Sequence, residues 1–196
     1  MQDALSTQRQ QVRQSIRQAR RQLTTKQQQL AAQLVMKNAL QHPKINSAKC
    51  IALFLSFDGE IDTRPLISAL WEQGKQVYLP VLHPFSRHHL LFLRYHAKTQ
   101  LVKNRFNIDE PPLNVQDVLP IEKLDIMFIP LVAFDSQGQR LGMGGGFYDR
   151  TLAHWQQTGF YPIGLAHDCQ QVEVLPVAHW DIPLPEIITP QKIWRW

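Results

Sequence analysis

Leu124-Asp125-Ile126-Met127-Phe128-Ile129-Pro130-Leu131-Val132-Ala133-Phe134 runs into Asp135-Ser136-Gln137-Gly138. It then reaches Arg140-Leu141-Gly142-Met143-Gly144-Gly145-Gly146-Phe147-Tyr148-Asp149-Arg150. The first block is almost wholly apolar, which predicts a long strand buried on both faces. The second is a turn, and the third is a glycine loop leading into a helix expected over about Phe147 to Gln157. Strand, glycine loop and helix in that order form the unit from which α/β proteins are built.

The flanking sequence repeats the alternation. Cys50 to Leu55 and Val77 to Leu82 predict strands, separated by a helix from Thr63 to Gln73 with Pro65 in its first turn and Gly74 after its end. Leu90 to Tyr95 predicts a third strand, antiparallel to its neighbour, and Phe106 to Pro112 an irregular segment. Tyr161 to Ala166 and Glu186 to Thr189 predict short strands. The expected fold is α/β, a three-layer open and mostly parallel sheet with helices on both faces. One domain of 196 residues is expected, with a helical pair over 1–42 and a sheet-containing body over 48–196. In such sheets ligands bind past the carboxyl ends of the strands. Three loops belong there: Ser56-Phe57-Asp58-Gly59-Glu60, Asp135 to Gly146, and His167-Asp168-Cys169-Gln170.

Four of the nine glycines lie within five residues at Gly142–Gly146, so close approach of a ligand to the backbone is expected there. Free N–H groups ahead of a helix suit an anion, most often phosphate, with Arg140, Asp149 and Arg150 as charged neighbours. Glycine content alone leaves phosphate binding and a plain hinge both open. Gly146 is followed by Phe147 and not by Lys-Ser/Thr, which excludes a Walker loop. Phe147 also breaks the G-x-G-x-x-G dinucleotide pattern.

The net charge of +5 is local. Residues 1–30 hold Arg9, Arg13, Arg17, Arg20, Arg21 and Lys26 against Asp3, and the remainder is neutral. Val12, Ile16, Ala19 and Leu23 form one apolar face of a first helix; Thr24-Thr25 breaks it, and a second helix runs to His42-Pro43. The arginines flank that face. They suit a solvated flank with snorkelling side chains, a polyanion ligand, an RNA-binding helix or an Arg-rich transit peptide, and the apolar face favours docking on the body. Cys50 and Cys169 read as buried reduced thiols, no Cys/His spacing suits a metal, and His88-His89 reads as loop polarity. No apolar run is long enough for a membrane span, and Met1 to Gln29 is too polar for a secretory signal, so a cytoplasmic protein is expected.

The ordered series Phe134-Asp135, Gly138, Arg140-Leu141-Gly142, Gly144, Gly146-Phe147-Tyr148-Asp149-Arg150 resembles the signature of the 5-formyltetrahydrofolate cyclo-ligase family. Shorter matches extend over nearly the whole chain. They include Arg13-x-x-x-Arg17, Phe54-x-Ser56-x-x-x-Glu60-Ile61, Asn107-Ile108-x-Glu110-Pro111, Ile129-Pro130, Leu165-Ala166, Gln170, Leu175-Pro176, Asp181 and Ile188-Thr189.

The resemblance implies an ATP- and Mg²⁺-dependent ligase that cyclises 5-formyltetrahydrofolate to 5,10-methenyltetrahydrofolate, releasing ADP and phosphate. It implies small-molecule substrates, no nucleic-acid or membrane partner, and a monomer. Carried to this chain, Gly142, Gly144, Gly145 and Gly146 would cradle ATP phosphates, and Arg140 would neutralise their charge. Arg13 and Arg17 would reach the nucleotide from the first helix. Asp149 would hold Mg²⁺, with Asp135 or Asp181 assisting. Glu60, with Phe54 and Phe57, would fix the pterin, and Tyr148 would line the shared cleft beside both substrates and the reacting groups. Each residue also has a plain structural alternative: Asp149 and Arg150 could charge a helix start, Glu60 could be a loop carboxylate, Phe147 and Tyr148 could be core, and Asp181 could fix a turn.

Some family members carry basic side chains at the positions of Met143 and Gly145, where this chain has none. An aromatic residue is common where His167 stands, and Pro185-Glu186 and Thr189-Pro190 depart from the usual tail. Three rival readings remain: an ATP-using enzyme acting on another formyl or amide substrate, a nucleic-acid-binding protein, and a folate or nucleotide sensor without turnover.

Overall fold

The computed structural model describes residues 2–196; Met1 and the side chains of Gln2 and Asp3, to which the expected N-terminal charge partly refers, lie outside the described residues. Helix α1 (Gln2–Arg21) ends at a Thr24 capping box in which Thr24 and Gln27 bond reciprocally, and this starts α2 (Thr25–Leu40). A short α3 (Pro43–Ser47) leads into β1 (Cys50–Ala52), α4 (Arg64–Glu72), β2 (Gln76–Leu82) and β3 (Leu90–Tyr95). The small hairpin β4 (Val102–Lys103) and β5 (Asp109–Glu110) follows, then β6 (Val118–Leu119), β7 (Ile126–Pro130), β8 (Ala133–Phe134) and β9 (Arg140–Leu141). The chain ends with α5 (Phe147–Leu152), α6 (Trp155–Thr158), β10 (Tyr161–Leu165), β11 (Glu186–Ile188) and β12 (Ile193–Arg195).

Eight strands form one sheet in the order β12-β11-β10-β7-β1-β2-β3-β6. The five from β11 to β2 are parallel, and β12, β3 and β6 pair antiparallel at the two sides. β7 is central, and its residues alternate between two cores. Ile126 and Phe128 face α2, α3 and α4, with Val35, Ala39, Ile45, Leu66 and Leu70. Met127 and Ile129 face the opposite side, with Leu152, Trp155 and Phe160. Burial on both faces is why this strand reads as an unbroken apolar run. The expected three-layer architecture is present.

Several boundaries differ from expectation. The strand expected over 124–134 leaves the sheet after Pro130, which has no N–H to donate. Its continuation, β8, pairs instead with β9 and so carries the glycine loop out of the sheet. The single helix expected after the loop is two short ones. Thr151 bonds back to the Phe147 carbonyl at 2.8 Å, and His154 leaves helical geometry at φ −128°. The irregular segment over 106–112 contains β5, and α3, β6 and β12 had no reading in the sequence. Both cysteines are free but only half-buried, so core filling was too simple a description.

Helix α1 crosses the carboxyl end of the sheet. Ile16 and Val12 pack on Val132, Ala133, Leu141 and Leu175. Arg9 and Arg20 lie on this same buried side, Arg20 with no exposed surface at all. The arginines therefore turn toward the body, and the reading of a solvated flank is corrected. Among the described residues, no helix is long and apolar enough to cross a membrane.

Candidate active site

The loop after β1 closes on itself. The Glu60 backbone N–H donates to the Phe57 carbonyl at 3.1 Å, and the Phe57 N–H donates to Glu60 Oε2 at 3.1 Å. Asp58 and Gly59 have φ of 51° and 76°, the paired left-handed residues of a type I′ turn. Thr63 Oγ1 donates to the Phe54 carbonyl and ties the far end of the loop.

Three arginines of α1 hold this turn. Arg17 Nε meets Asp58 Oδ2 at 2.5 Å, Arg21 Nε meets Oδ1 at 2.7 Å, and Arg20 Nη2 donates to the Asp58 carbonyl at 2.8 Å. Burial alone would raise the Asp58 carboxyl, but the bonds from Arg17 and Arg21 hold it below the usual carboxylate range. Burial lowers the Arg20 guanidinium, against the opposing charges of Glu60 and Asp58.

The glycine loop faces the turn across a cavity of about 490 Å³, within the usual range for a small-molecule site. Its walls include Phe54, Phe57, Glu60, Phe106, Ile108, Gly142–Gly146, Phe147, Tyr148, Arg140 and Asp149. A second, more open cavity of about 1010 Å³ lies on the other side of the same loop, lined by Arg9, Arg13, His88, Gly142, Gly144–Gly146, Asp149, Arg150 and Trp180. Gly144 and Gly146 have φ of 95° and 70°, a conformation that residues with a Cβ rarely adopt. Arg13 Nε donates to the Gly142 carbonyl at 2.8 Å, laying its guanidinium against the loop.

Arg140 is buried and paired with Asp149, which stays partly exposed and borders both cavities. Arg140 Nε has no partner in this structure. Burial lowers the Arg140 guanidinium, and Asp149 opposes the shift. Desolvation drives the Tyr148 phenol well above its ordinary range, so it is a neutral donor. Desolvation also raises Glu60 to about 7, opposed by the Phe57 N–H and the charge of Arg20.

The structure thus gathers Arg13, Phe54, Phe57, Glu60, Arg140, the four glycines, Tyr148 and Asp149 around two adjoining cavities. It does not gather the rest. Arg17 is held by Asp58, away from the glycine loop. Asp135 is buried and accepts the backbone N–H groups of Gln137, Gln139 and Leu175, so it organises the β8–β9 turn. Asp181 pairs with Arg9, one contact being 2.9 Å from Nη2, and also accepts the Ala178 N–H at 2.8 Å. Both carboxylates thus have protein partners in this structure, whereas Asp149 alone of the three lines the cavities.

The loop at His167–Gln170 supports the site from behind. Gln170 Nε2 donates to the carbonyls of Leu131 and Val132 at 2.6 and 3.0 Å. His167 is buried, and desolvation lowers its imidazole to about 4. Sequence reasoning missed Asp58, Phe106, Phe147 and His88 as parts of the site. The Asp-Gly turn signal was available for Asp58 and the glycine-loop motif for Phe147; nothing local marked Phe106 or His88.

The fold and the site define an α/β enzyme with two ligand cavities that share a glycine loop. Comparison with known proteins agrees. The family model described as the 5-formyltetrahydrofolate cyclo-ligase family matches residues 5–190. The chain is 59% identical over 181 residues to the 5-formyltetrahydrofolate cyclo-ligase of Escherichia coli K12, covering 92% of this chain and 100% of that protein. It is 59% identical over 180 residues to the Haemophilus influenzae cyclo-ligase, covering 92% and 96%. Its fold matches the solution structure of Aquifex aeolicus 5,10-methenyltetrahydrofolate synthetase with a TM-score of 0.81 at 28% identity, covering 95% of this chain and 92% of that one. The chain belongs to the 5-formyltetrahydrofolate cyclo-ligase family.

Two outcomes follow from this geometry. The folded value of about 7 for Glu60 lies above its ordinary 4.5, so the native state holds the extra proton between them. The stability this provides is complete below the ordinary value and is lost as pH rises through the folded one. In ligand-free protein Glu60→Gln should therefore gain on the parent by about 1–3 kcal/mol at alkaline pH and by nothing in acid, read from denaturant midpoints against pH. Asp181→Asn leaves Arg9 without its carboxylate and should cost about 3–5 kcal/mol, read from denaturant midpoints.

Proposed function

We propose that this enzyme cyclises 5-formyltetrahydrofolate to 5,10-methenyltetrahydrofolate, with ATP as phosphoryl donor and Mg²⁺ as cofactor. The observation that carries the reading is the glycine loop as common wall of an apolar cavity bearing Glu60 and a polar cavity bearing Arg13. A pterin and a polyphosphate have opposite requirements, and their reacting ends must still meet.

The folate enters the apolar cavity, where Phe54 and Phe57 cover the ring faces and Glu60 accepts hydrogen bonds from the donor edge of the pterin. These donors, together with Arg20 nearby, favour the ionised carboxylate that burial disfavours. ATP lies on the other side of the loop, with phosphates on the backbone of Gly142–Gly146 and beside Arg13. A formamide oxygen is a poor leaving group. Transfer of the γ-phosphoryl to it gives an imidate phosphate and ADP; N10 then attacks the formyl carbon, loses its proton, and phosphate departs with the former formyl oxygen. Arg140 and Arg13 stabilise the phosphoryl charge in flight. Tyr148, protonated at neutral pH, can donate to the oxygen under transfer.

Among the described residues no three His, Cys, Asp or Glu side chains cluster to hold a metal unaided. A single carboxylate at Asp149 fits Mg²⁺ nonetheless, because this ion keeps several waters and is usually held by one or two carboxylates plus substrate phosphates. Bound there, Mg²⁺ would neutralise charge on the polyphosphate. The Arg140–Asp149 pair keeps both groups partnered until the nucleotide arrives. We read the protein as a cytoplasmic monomer acting on small molecules, with Arg17 and Arg20 of helix α1 committed to its own body and Arg13 facing the nucleotide.

The test mixes purified protein with 5-formyltetrahydrofolate, ATP and Mg²⁺ and follows methenyl-folate absorbance and ADP together. Equal, metal-dependent rises are expected. ADP without methenyl product would indicate another acceptor, and binding of both ligands without either product would indicate a sensor. Asp149→Asn should lower kcat by at least about 100-fold, a loss on the scale of one electrostatic stabiliser, with the circular dichroism retained. Arg13→Ala should raise the KM for ATP about tenfold and leave that for folate unchanged, whereas Arg17→Ala should not move the KM for ATP.

A further inference from the structure

The β2–β3 hairpin reaches the glycine loop from a distant part of the chain. His83 Nδ1 accepts the N–H groups of Phe85 and Ser86 at 3.2 and 3.0 Å, which fixes the turn. His88 follows with φ of 64°, a left-handed backbone that is uncommon for a residue with a side chain and gathers at functional positions. Its ring lands on the loop, with Nδ1 2.7 Å from the Gly145 carbonyl and the ring centroid 5.5 Å from that of Phe147.

A carbonyl only accepts, so Nδ1 carries a proton. The other ring nitrogen, Nε2, has no hydrogen-bond partner among the described residues, and His88 lines the polar cavity together with Arg13, Arg150 and Asp149. The loop itself brings no cation to this cavity, because Met143 and Gly145 stand between its outer glycines. A ring held by one nitrogen at the rim of an anion site, with its second nitrogen free, is placed to donate to a phosphate oxygen.

We propose that His88 is a nucleotide ligand: Nδ1 holds the glycine loop through Gly145, and Nε2 donates to the polyphosphate. This rests on the reading of the polar cavity as the ATP site. Donation from Nε2 as well as Nδ1 takes the doubly protonated ring, and among the described residues Arg9, Arg13, Arg150 and Asp149 are the charged groups that line the cavity with it.

Three substitutions separate the two ring nitrogens. Asn places its amide where Nδ1 stands and tolerates a left-handed backbone, so His88→Asn keeps the loop contact and removes the phosphate contact. Gln places its amide near Nε2, and Ala removes both. His88→Asn should raise the KM for ATP about five- to tenfold, the worth of one hydrogen bond to a charged group, with the KM for 5-formyltetrahydrofolate and the Tm unchanged. His88→Ala should do at least as much, and His88→Gln should recover part of the loss.

A parental KM for ATP in His88→Asn would overturn the proposal and leave His88 as a support for the loop. Equal rises for ATP and folate, or a Gln variant no better than Ala, would overturn it too. If the parent protein makes no methenyl product with ATP, the functional reading fails, and this inference fails with it.

Discussion

A guanidinium taken out of water needs acceptors on every side it presents, because a buried charge without partners costs several kcal/mol. Helix α1 withdraws Arg9 and Arg20 almost completely and Arg13 and Arg17 in part. Their acceptors lie on three loops: Arg9 takes Asp181 in the C-terminal segment, Arg13 the Gly142 carbonyl in the glycine loop, and Arg17 and Arg20 share Asp58 in the turn that presents Glu60. None of these loops belongs to the regular sheet. Their relative placement depends on one rigid helix whose charges cannot be satisfied anywhere else. A basic stripe that looks like an outward-facing surface is therefore the clamp of the site.

The clamp explains how two cavities with different chemistry share a thin wall. The apolar side is lined by Phe54, Phe57 and Phe106, and Phe147 joins it from the loop, edge-on to Phe106 at 6.1 Å. The other side is lined by Arg9, Arg13 and Arg150, of which Arg9 is paired with Asp181. Glu60 lies in the wall of the apolar cavity, near Arg20 but in surroundings that disfavour its charge. Its ionisation is thereby left to whatever occupies the cavity. Tyr148 is pushed the same way by desolvation and remains a donor.

Much of this was legible in the sequence for reasons of periodicity. The apolar run at Ile126–Ile129 and the Pro65…Gly74 brackets specify a buried strand and a helix without reference to the rest of the fold. The glycine loop was legible because its glycines are unusually dense, whereas Asp149 and Glu60 were read through the family resemblance and not from their local setting. The protein partners of Arg17, Asp135 and Asp181 were not legible, because an arginine or aspartate looks the same in sequence whether its partner is a phosphate, a metal or a backbone N–H. His88 was invisible for a related reason: a contact 57 residues away leaves no local periodic trace. The split of the helix after the loop turned on a Thr151 side chain bonding back to Phe147, an option that propensity averages away.

The Arg140–Asp149 pair joins these considerations. Arg140 is buried and Asp149 is partly exposed, so the two cannot be separated at equal cost. If a metal took Asp149 alone, it would strand Arg140 in a site that already leaves its Nε without a partner. If a phosphate took Arg140 alone, it would leave Asp149 facing a polyanion. A metal–phosphate complex avoids both penalties, because the carboxylate passes to the cation while the guanidinium passes to the anion. The pair is thus neutral before and after, and the low-dielectric surroundings that make each half-exchange unfavourable favour the joint one. With Mg²⁺ and ATP bound as proposed, a single carboxylate would suffice, because an arginine, and not a second acid, stands behind it.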